Sequence, residues 1–350
     1  MPTESHFETP LRRMAIGAGV VAAGWYVARK VLARARRFDF RDKAVLITGG
    51  SRGLGLVLAR QLASAGARVA ICARDRDELG RAVQQLRDCG VLDVRADVCD
   101  VRDVDSVRNW IRAVHRQFNA IDVLINNAGV IQVGPLATMT PADYDDAMAT
   151  HFRGPMHAVF EALPRMRPGS RIVNIASVGG EVAVPHLAPY CASKFALVGF
   201  SRGLRQELIR NGVYVTTVLP WLMRTGSPPQ AMFKGQHRTE YALFSISDSL
   251  PLLTVSAERA ARQILEATRD GRAELLMSLP TKVAAAVSGL CPELTAELLT
   301  FTARMLPGPG GIGERAIKGH QSTSSLSPSW LTRLSDRASV RNNEMPDAPG

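Results

Sequence analysis

A short apolar run, Ala44 to Thr48, leads directly into Gly49-Gly50-Ser51-Arg52-Gly53-Leu54-Gly55 and then into a helical pattern through Leu58 and Leu62. A turn tight enough to aim a helix N-terminus at a phosphate needs glycines for positive φ, for close approach of an anion and for helix–strand contact. Gly49, Gly53 and Gly55 take those places, with Ser51, Arg52 and Leu54 between them. Glycine clusters also make ordinary turns, but one set between a strand and a helix in the first such unit predicts a dinucleotide site in an α/β sheet.

The rest of the chain repeats the same alternation from Asp42 onward, short apolar runs followed by amphipathic stretches. Strands are expected at Ala44 to Thr48, Arg68 to Ala73, Asp93 to Ala96, Val123 to Asn126, Arg171 to Ala176, Val213 to Leu219 and Glu274 to Ser278. Thr140-Pro141 and Ser256 read as helix starts and Gly271 as a stop. The expected fold is α/β, a doubly wound Rossmann fold with a seven-stranded parallel sheet, an N-terminal apolar helix and a C-terminal helical extension. A composition that is 46% hydrophobic but only 6% aromatic suits helix-covered parallel strands better than a β-sandwich. The catalytic domain is placed at residues 41–280. Two helices, TKVAAAVSGL and ELTAELLTFTARML, fill residues 281–306, and a Gly/Pro/Ser-rich tail expected to be flexible runs from 307 to 350.

Residues 1–40 form a separate basic and apolar segment. The formal net charge is +11, and seven Lys/Arg lie between Arg12 and Arg37 around an uncharged run at residues 14–28. A local excess of this kind points to a membrane surface, not to nucleic acid. Three readings fit the run: a membrane anchor that keeps the following domain in the cytoplasm, a cleaved export signal opened by Arg12-Arg13, or an ordinary packed helix. Basic residues directly after the run argue against export, and association through residues 14–33 is the preferred reading. Five cysteines with no paired spacing and no His cluster read as reduced thiols and exclude a metal site.

The second strand ends Ile71-Cys72-Ala73-Arg74, where a carboxylate would select NAD by bonding the ribose 2′-hydroxyl. Arg74 and Arg52 instead offer two guanidiniums to a 2′-phosphate, so NADP(H) is the expected cofactor. The alternative is that Arg74 only pairs with Asp75 or Asp77 on the surface.

Five motifs then stand in order: the Thr48 to Gly55 turn, Asp97-Val98, Asn126-Asn127-Ala128-Gly129, Ser177, and Tyr190-Cys191-Ala192-Ser193-Lys194. With them, residues 42–279 resemble the short-chain dehydrogenase/reductase (SDR) family. The resemblance implies that Asp97, with Val98, contacts the adenine and that Asn126, Ala128 and Gly129 shape the cofactor pocket. It also implies that Pro220 and Thr225 border the nicotinamide and that Lys194 holds its ribose. Two positions depart from the family. Trp221 stands where a glycine is usual, and His151 where an asparagine organises a proton relay, which His151 could replace.

The chemistry also follows from the residues themselves. Tyr190 and Lys194 are four apart in a helical stretch, so both side chains share one face. An ammonium beside a phenol stabilises the tyrosinate, which lets Tyr190 act as general acid or base. Ser177 falls just past the end of a strand, where parallel sheets place their ligand crevice, and its hydroxyl can steady a substrate oxygen.

The expected function is NADP(H)-dependent hydride transfer between nicotinamide and a carbonyl or alcohol. Trp221, Leu222, Met223, Met232, Phe233, Tyr241, Leu243 and Phe244 suggest a lipophilic substrate such as a steroid, retinoid or fatty-acyl-like compound, unless they only close a local core. The reading from another class is a non-catalytic, membrane-attached NADP(H)-binding sensor or scaffold, which His151 alone supports. A homodimer or homotetramer is implied by the resemblance.

Overall fold

A computed structural model of the chain describes residues 24, 27, 28, 30–89, 93–250 and 254–345. Seven strands form the main sheet: β1 Ala44–Thr48, β2 Arg68–Ala73, β3 Val94–Val98, β4 Val123–Asn126, β5 Arg171–Ile175, β6 Tyr214–Leu219 and β7 Glu274–Leu276. They pair in the order β7-β6-β5-β4-β1-β2-β3, and every pairing is parallel. The order reverses between β1 and β4, so the crevice of this sheet opens at the carboxyl ends of those two strands.

Burial explains why these strands read as unbroken apolar runs. Every residue of β1 is buried, with Val45 and Ile47 facing one core and Ala44 and Leu46 the other. The first core is closed by α1 Gly53–Ser64 and α2 Arg76–Asp88, through Leu58, Leu62 and Leu79. The second is closed by α3 Val104–Phe118, whose Trp110, Ile111 and Val114 lie on one face at helical spacing.

Further along lie α4 Pro141–Met148, a single π turn at Ala149–Arg153, α5 Gly154–Ala162, α6 Ala188–Leu208, α7 His237–Ser249 and α8 Ala257–Arg269. The expected caps are in place. Thr140 and Asp143 form a capping box ahead of Pro141, the Ser256 side chain accepts from the Arg259 N–H, and Gly271 follows α8 at φ +61°. Ala257, Ala260, Ile264 and Leu265 of α8 join the first core.

At the amino ends of the strands one buried side chain ties the N-terminal linker to the sheet. Arg171, the first residue of β5, donates from Nε to the Thr268 carbonyl (3.0 Å) and from Nη2 to the Arg36 carbonyl (2.6 Å). Its guanidinium stacks 4.2 Å from the Tyr214 ring centroid and 4.9 Å from that of Phe38. Residues 30–35 are helical, with Val31 and Leu32 exposed. No single helix among the described residues is long and apolar enough to cross a membrane. Most of the apolar run at 14–28 lies outside the described residues.

The C-terminal extension consists of α9 Leu279–Leu290 and α10 Pro292–Met305, bent by 120° at Cys291. The segment after it departs from expectation. Residues 307–345 are folded against the domain rather than loose, with a strand at Ile317–Lys318 pairing antiparallel to Met232–Phe233 and a last helix, α11 Arg333–Arg341. Composition hides this because little of the docking is an apolar stripe. Thr332, Ser335, Ser339, Asn342, Asn343 and Glu344 are all buried and are held largely through polar atoms.

Candidate active site

The glycine turn is built from the end of β1 and strapped by the segment after β4. Asn127 Nδ2 donates to the carbonyls of Thr48 (3.1 Å) and Gly49 (2.9 Å), while Thr48 Oγ1 accepts from the N–H groups of Asn127 and Ala128. Gly49 and Gly53 sit at φ +64° and +54°, where a side chain is strained. A Cβ on Gly55 would lie 2.1 Å from the Gly49 carbonyl oxygen. The buried Leu54 anchors the start of α1 in the core, and the helix thus points its N-terminus into the crevice.

Ser177 caps the short turn after β5, its Oγ accepting from the Gly179 N–H at 3.0 Å. Tyr190 and Lys194 share one face of α6 as their spacing predicts, with Lys194 Nζ 5.6 Å from the Tyr190 ring centroid. Nζ donates to the Ile175 carbonyl at 2.9 Å, directly before the Ser177 turn. Burial pushes the Tyr190 phenol up to about 12, against the pull of its bond with Ser177. Burial alone draws the Lys194 ammonium down to about 7. Ser177, Tyr190 and Lys194 therefore meet at the carboxyl end of β5, beside the glycine turn's crevice.

A lysine that ionises at about 7 when folded and near its ordinary 10.5 when unfolded leaves the unfolded chain holding the extra proton between those values. Stability from this group accordingly rises with pH across that window. The stability of the chain relative to Lys194→Met should climb between about pH 7 and 10.5, read by denaturant melts at each pH. A flat difference would refute this.

His151 lies in the π turn, edge-on to Tyr190 with centroids 5.3 Å apart. Both ring nitrogens are committed elsewhere. Nε2 accepts from the Val130 N–H (3.1 Å), so the proton sits on Nδ1, which donates to Ser193 Oγ (2.8 Å). Ser193 in turn donates to the Tyr190 carbonyl at 2.8 Å. Burial first, and then the Lys194 charge, hold the imidazole well below its usual range, which keeps it neutral. The sequence puts His151 where the family has a relay asparagine but gives no sign of Ser193 as its partner.

The cofactor-side residues divide. Asn126 is buried and donates to Asn174 Oδ1 (2.8 Å), the start of a polar chain that continues through Ser201 to Thr217. Gly129 is exposed, and Pro220 accepts from the Val178 N–H at 2.8 Å, which joins the expected nicotinamide border to the Ser177 turn. Asp97 is gripped in a bidentate pair by Arg95 (2.6 and 2.7 Å), and Val98 is exposed. Arg74 is exposed at the end of β2. Arg52 is engaged by two carboxylates, Glu78 at 2.7 Å and Glu344 at 3.1 Å, and Ser51 Oγ donates to Glu78.

Sequence reasoning missed Glu344 and its neighbours. The Thr225 carbonyl accepts from Asn342 Nδ2 (3.0 Å), so the C-terminal segment reaches both the glycine turn and the expected nicotinamide border. Asn-Asn-Glu in a polar tail carries no periodicity from which this could be read.

Among the expected substrate walls, Phe233 instead stacks edge to face with Tyr241 and with Phe244, and the three pack with Val133 and Ala231. They close a local core, which was the alternative to a binding wall. Trp221 keeps a buried indole N–H without a partner. A groove of about 540 Å³ lies between the outer face of α6 and α10, lined by Cys191, Ala192, Phe195, Leu299 and Ala303.

Residues 43–231 match the family model described as short chain dehydrogenase. The chain is 38% identical over 184 residues to the granaticin polyketide synthase putative ketoacyl reductase 1 of Streptomyces violaceoruber, covering 51% of this chain and 67% of the relative. It is 35% identical over 217 residues to a putative ketoacyl reductase of Streptomyces coelicolor, covering 61% and 82%. Among solved structures, a short chain dehydrogenase/reductase from Burkholderia phymatum in complex with NAD has a TM-score of 0.65 at 26% identity, over 73% of this chain and 96% of that one. An actinorhodin polyketide ketoreductase variant with NADPH has a TM-score of 0.56 at 31% identity, over 64% and 88%. The family model spans more than half of the sequence, and on that ground the chain belongs to the short-chain dehydrogenase family of oxidoreductases.

Proposed function

We propose that this chain is an NADP(H)-dependent oxidoreductase that interconverts a carbonyl and an alcohol on a lipophilic, fatty-acyl-like substrate. The observation that carries the reading is the meeting of the Tyr190 phenol, the Ser177 hydroxyl and the buried Lys194 ammonium at the mouth of the sheet's crevice. The cradle suits a pyrophosphate, because the Glu344 carboxylate oxygen already lies 2.6 Å from where a Cβ on Gly53 would sit, against the N-terminus of α1. Gly49, Ser51, Gly53, Leu54 and Gly55 would hold the phosphates, Asn126, Ala128 and Gly129 the ring side of the pocket, and Pro220 and Thr225 the nicotinamide border.

The nicotinamide, when bound, supplies or accepts the hydride. Tyr190 holds a proton at Oη and passes it to the substrate oxygen as that oxygen gains negative charge. Ser177 Oγ, already oriented, offers a second bond to the same oxygen. Lys194, when protonated, lowers the cost of the tyrosinate that remains. His151, neutral and bonded on both sides, positions the Tyr190 backbone through Ser193 and has no nitrogen left for a relay.

Ketoacyl reductases among the relatives support a fatty-acyl-like substrate. Exposed Phe160 on α5 and Phe195 on α6 favour contact with a second copy of the chain, and exposed Val27, Val31 and Leu32 favour membrane association through residues 14–33. Incubating the protein with NADPH and a set of ketoacyl thioesters and hydrophobic ketones, and following loss of NADPH absorbance, tests the reaction. Tight NADPH binding with no turnover on any of them would favour the sensor reading instead.

NADP preference rests on Arg74, exposed at the end of β2, because Arg52 is held by Glu78 and Glu344. Replacing Arg74 by Ala removes a charge-assisted bond worth about 1.5–3 kcal/mol, and NADPH affinity should fall roughly 10- to 100-fold while NADH affinity holds. Equal losses for the two nucleotides by titration calorimetry would count against the assignment.

A further inference from the structure

The C-terminal segment lies against the glycine turn and occupies two donors a phosphate could use, the Gly53 N–H and the Arg52 guanidinium. Helix α11 delivers Asn342, Asn343 and Glu344, all buried, to the glycine turn. The Gly53 N–H donates to the Asn342 carbonyl at 2.9 Å, while Asn343 Nδ2 donates to the carbonyls of Ser51 (2.8 Å) and Glu78 (3.0 Å). Asn343 Oδ1 accepts from Arg81 Nε at 2.9 Å, and Gln230 Nε2 donates to the Glu344 carbonyl at 2.8 Å. Glu344 Oε2 stands 3.1 Å from Arg52 Nε. Behind these residues, Ser339 packs so tightly on Gly226 that a Cβ there would lie 2.3 Å from Ser339 Cα.

The Glu344 carboxyl group at the N-terminus of α1 and a pyrophosphate at the same N-terminus cannot share the space above Gly53. We propose that residues 342–344 are a built-in competitor of the nucleotide, so that the chain has a closed state that excludes its cofactor and an open one that admits it. This rests on the cofactor reading given above.

The closed state is also built to give way. Glu344 Oε2 is within ion-pair distance of Arg52 but not aligned as a hydrogen bond, and Asn342 Oδ1 is buried with no partner. An acceptor buried without an aligned donor carries its desolvation cost uncompensated, so the segment holds the groove with less than it could. Burial pushes the Glu344 carboxyl up to about 8, with Arg52 pulling it down and Glu78 and Asp248 adding to the rise. Displacement returns that group to water.

The test uses the full chain and the variant Asn343→Ala/Glu344→Ala, with thermal melts to check that it is folded. If the closed state holds most molecules, apparent nucleotide affinity is reduced by the open fraction, and the variant should bind NADPH about tenfold tighter. In the unaltered chain, NADPH should raise amide hydrogen exchange across residues 333–345, a readout that needs no variant. NADPH that binds with unchanged or weaker affinity to the variant, or that protects residues 333–345, overturns the competitor and makes the segment a cover over bound nucleotide. No binding of NADPH or NADH by either protein, with the segment already released in the variant, takes down the cofactor reading and the competitor with it.

Discussion

Tyr190→Phe should abolish carbonyl reduction while leaving NADPH binding within about twofold of the unaltered chain. The phenol touches the substrate oxygen in the proposed reaction, and a positioned general acid contributes about 10²- to 10⁴-fold. The ring itself packs edge-on to His151, a contact that phenylalanine preserves. Burial already disfavours the tyrosinate, so the lost hydroxyl leaves no buried charge behind and the fold should tolerate the change. Stopped-flow turnover alongside NADPH titration separates the outcomes. Retention of more than a tenth of the rate would move the proton donor elsewhere.

The second large effect is expected at Gly55, and in the opposite direction from another glycine a short way along the chain. A Cβ on Gly55 would meet the Gly49 carbonyl oxygen at 2.1 Å and Asn127 Nδ2 at 2.5 Å. Both belong to the strap that shapes the turn, so neither can retreat without opening the phosphate site. Gly55→Ala should therefore lose measurable dinucleotide binding and cost about 1–3 kcal/mol of stability, the usual penalty of overpacking. Gly80, inside α2, has nothing within 4 Å of its Cβ position, and Gly80→Ala should stabilise by about 0.5–1 kcal/mol. Parallel chemical denaturation of the two variants checks the contrast. Similar shifts for both would show that the strap yields.

Much of the frame was readable because its elements carry local signals. Strands buried on both faces leave uninterrupted apolar runs, and β1, β2 and β4 coincide with the runs Ala44 to Thr48, Arg68 to Ala73 and Val123 to Asn126. The half-exposed edge strand β3 was the least well bounded, starting at Val94 and extending through Val98. The glycine turn and the Tyr190–Lys194 pair were legible because spacing alone puts each group on one side of one element. Relations between distant segments were not. The carboxylates on Arg52, one from the first turn of α2 and one from the far end of the chain, follow from no periodicity. Phe233 and Tyr241 show the complementary failure: residue type suggested a wall for a ligand, but three-dimensional neighbours made it a local core. His151 lies between, since its position was foreseen while its tautomer depends on the Val130 N–H and Ser193.

The grip of Arg171 on Arg36 and Phe38 fixes where the chain enters the domain. It fastens the incoming chain beneath the sheet, and a five-residue strand such as β5 carries the polypeptide about 17 Å toward the other pole. Residues 36–38 therefore stand at the pole opposite the Ser177 turn, a strand's length from the crevice.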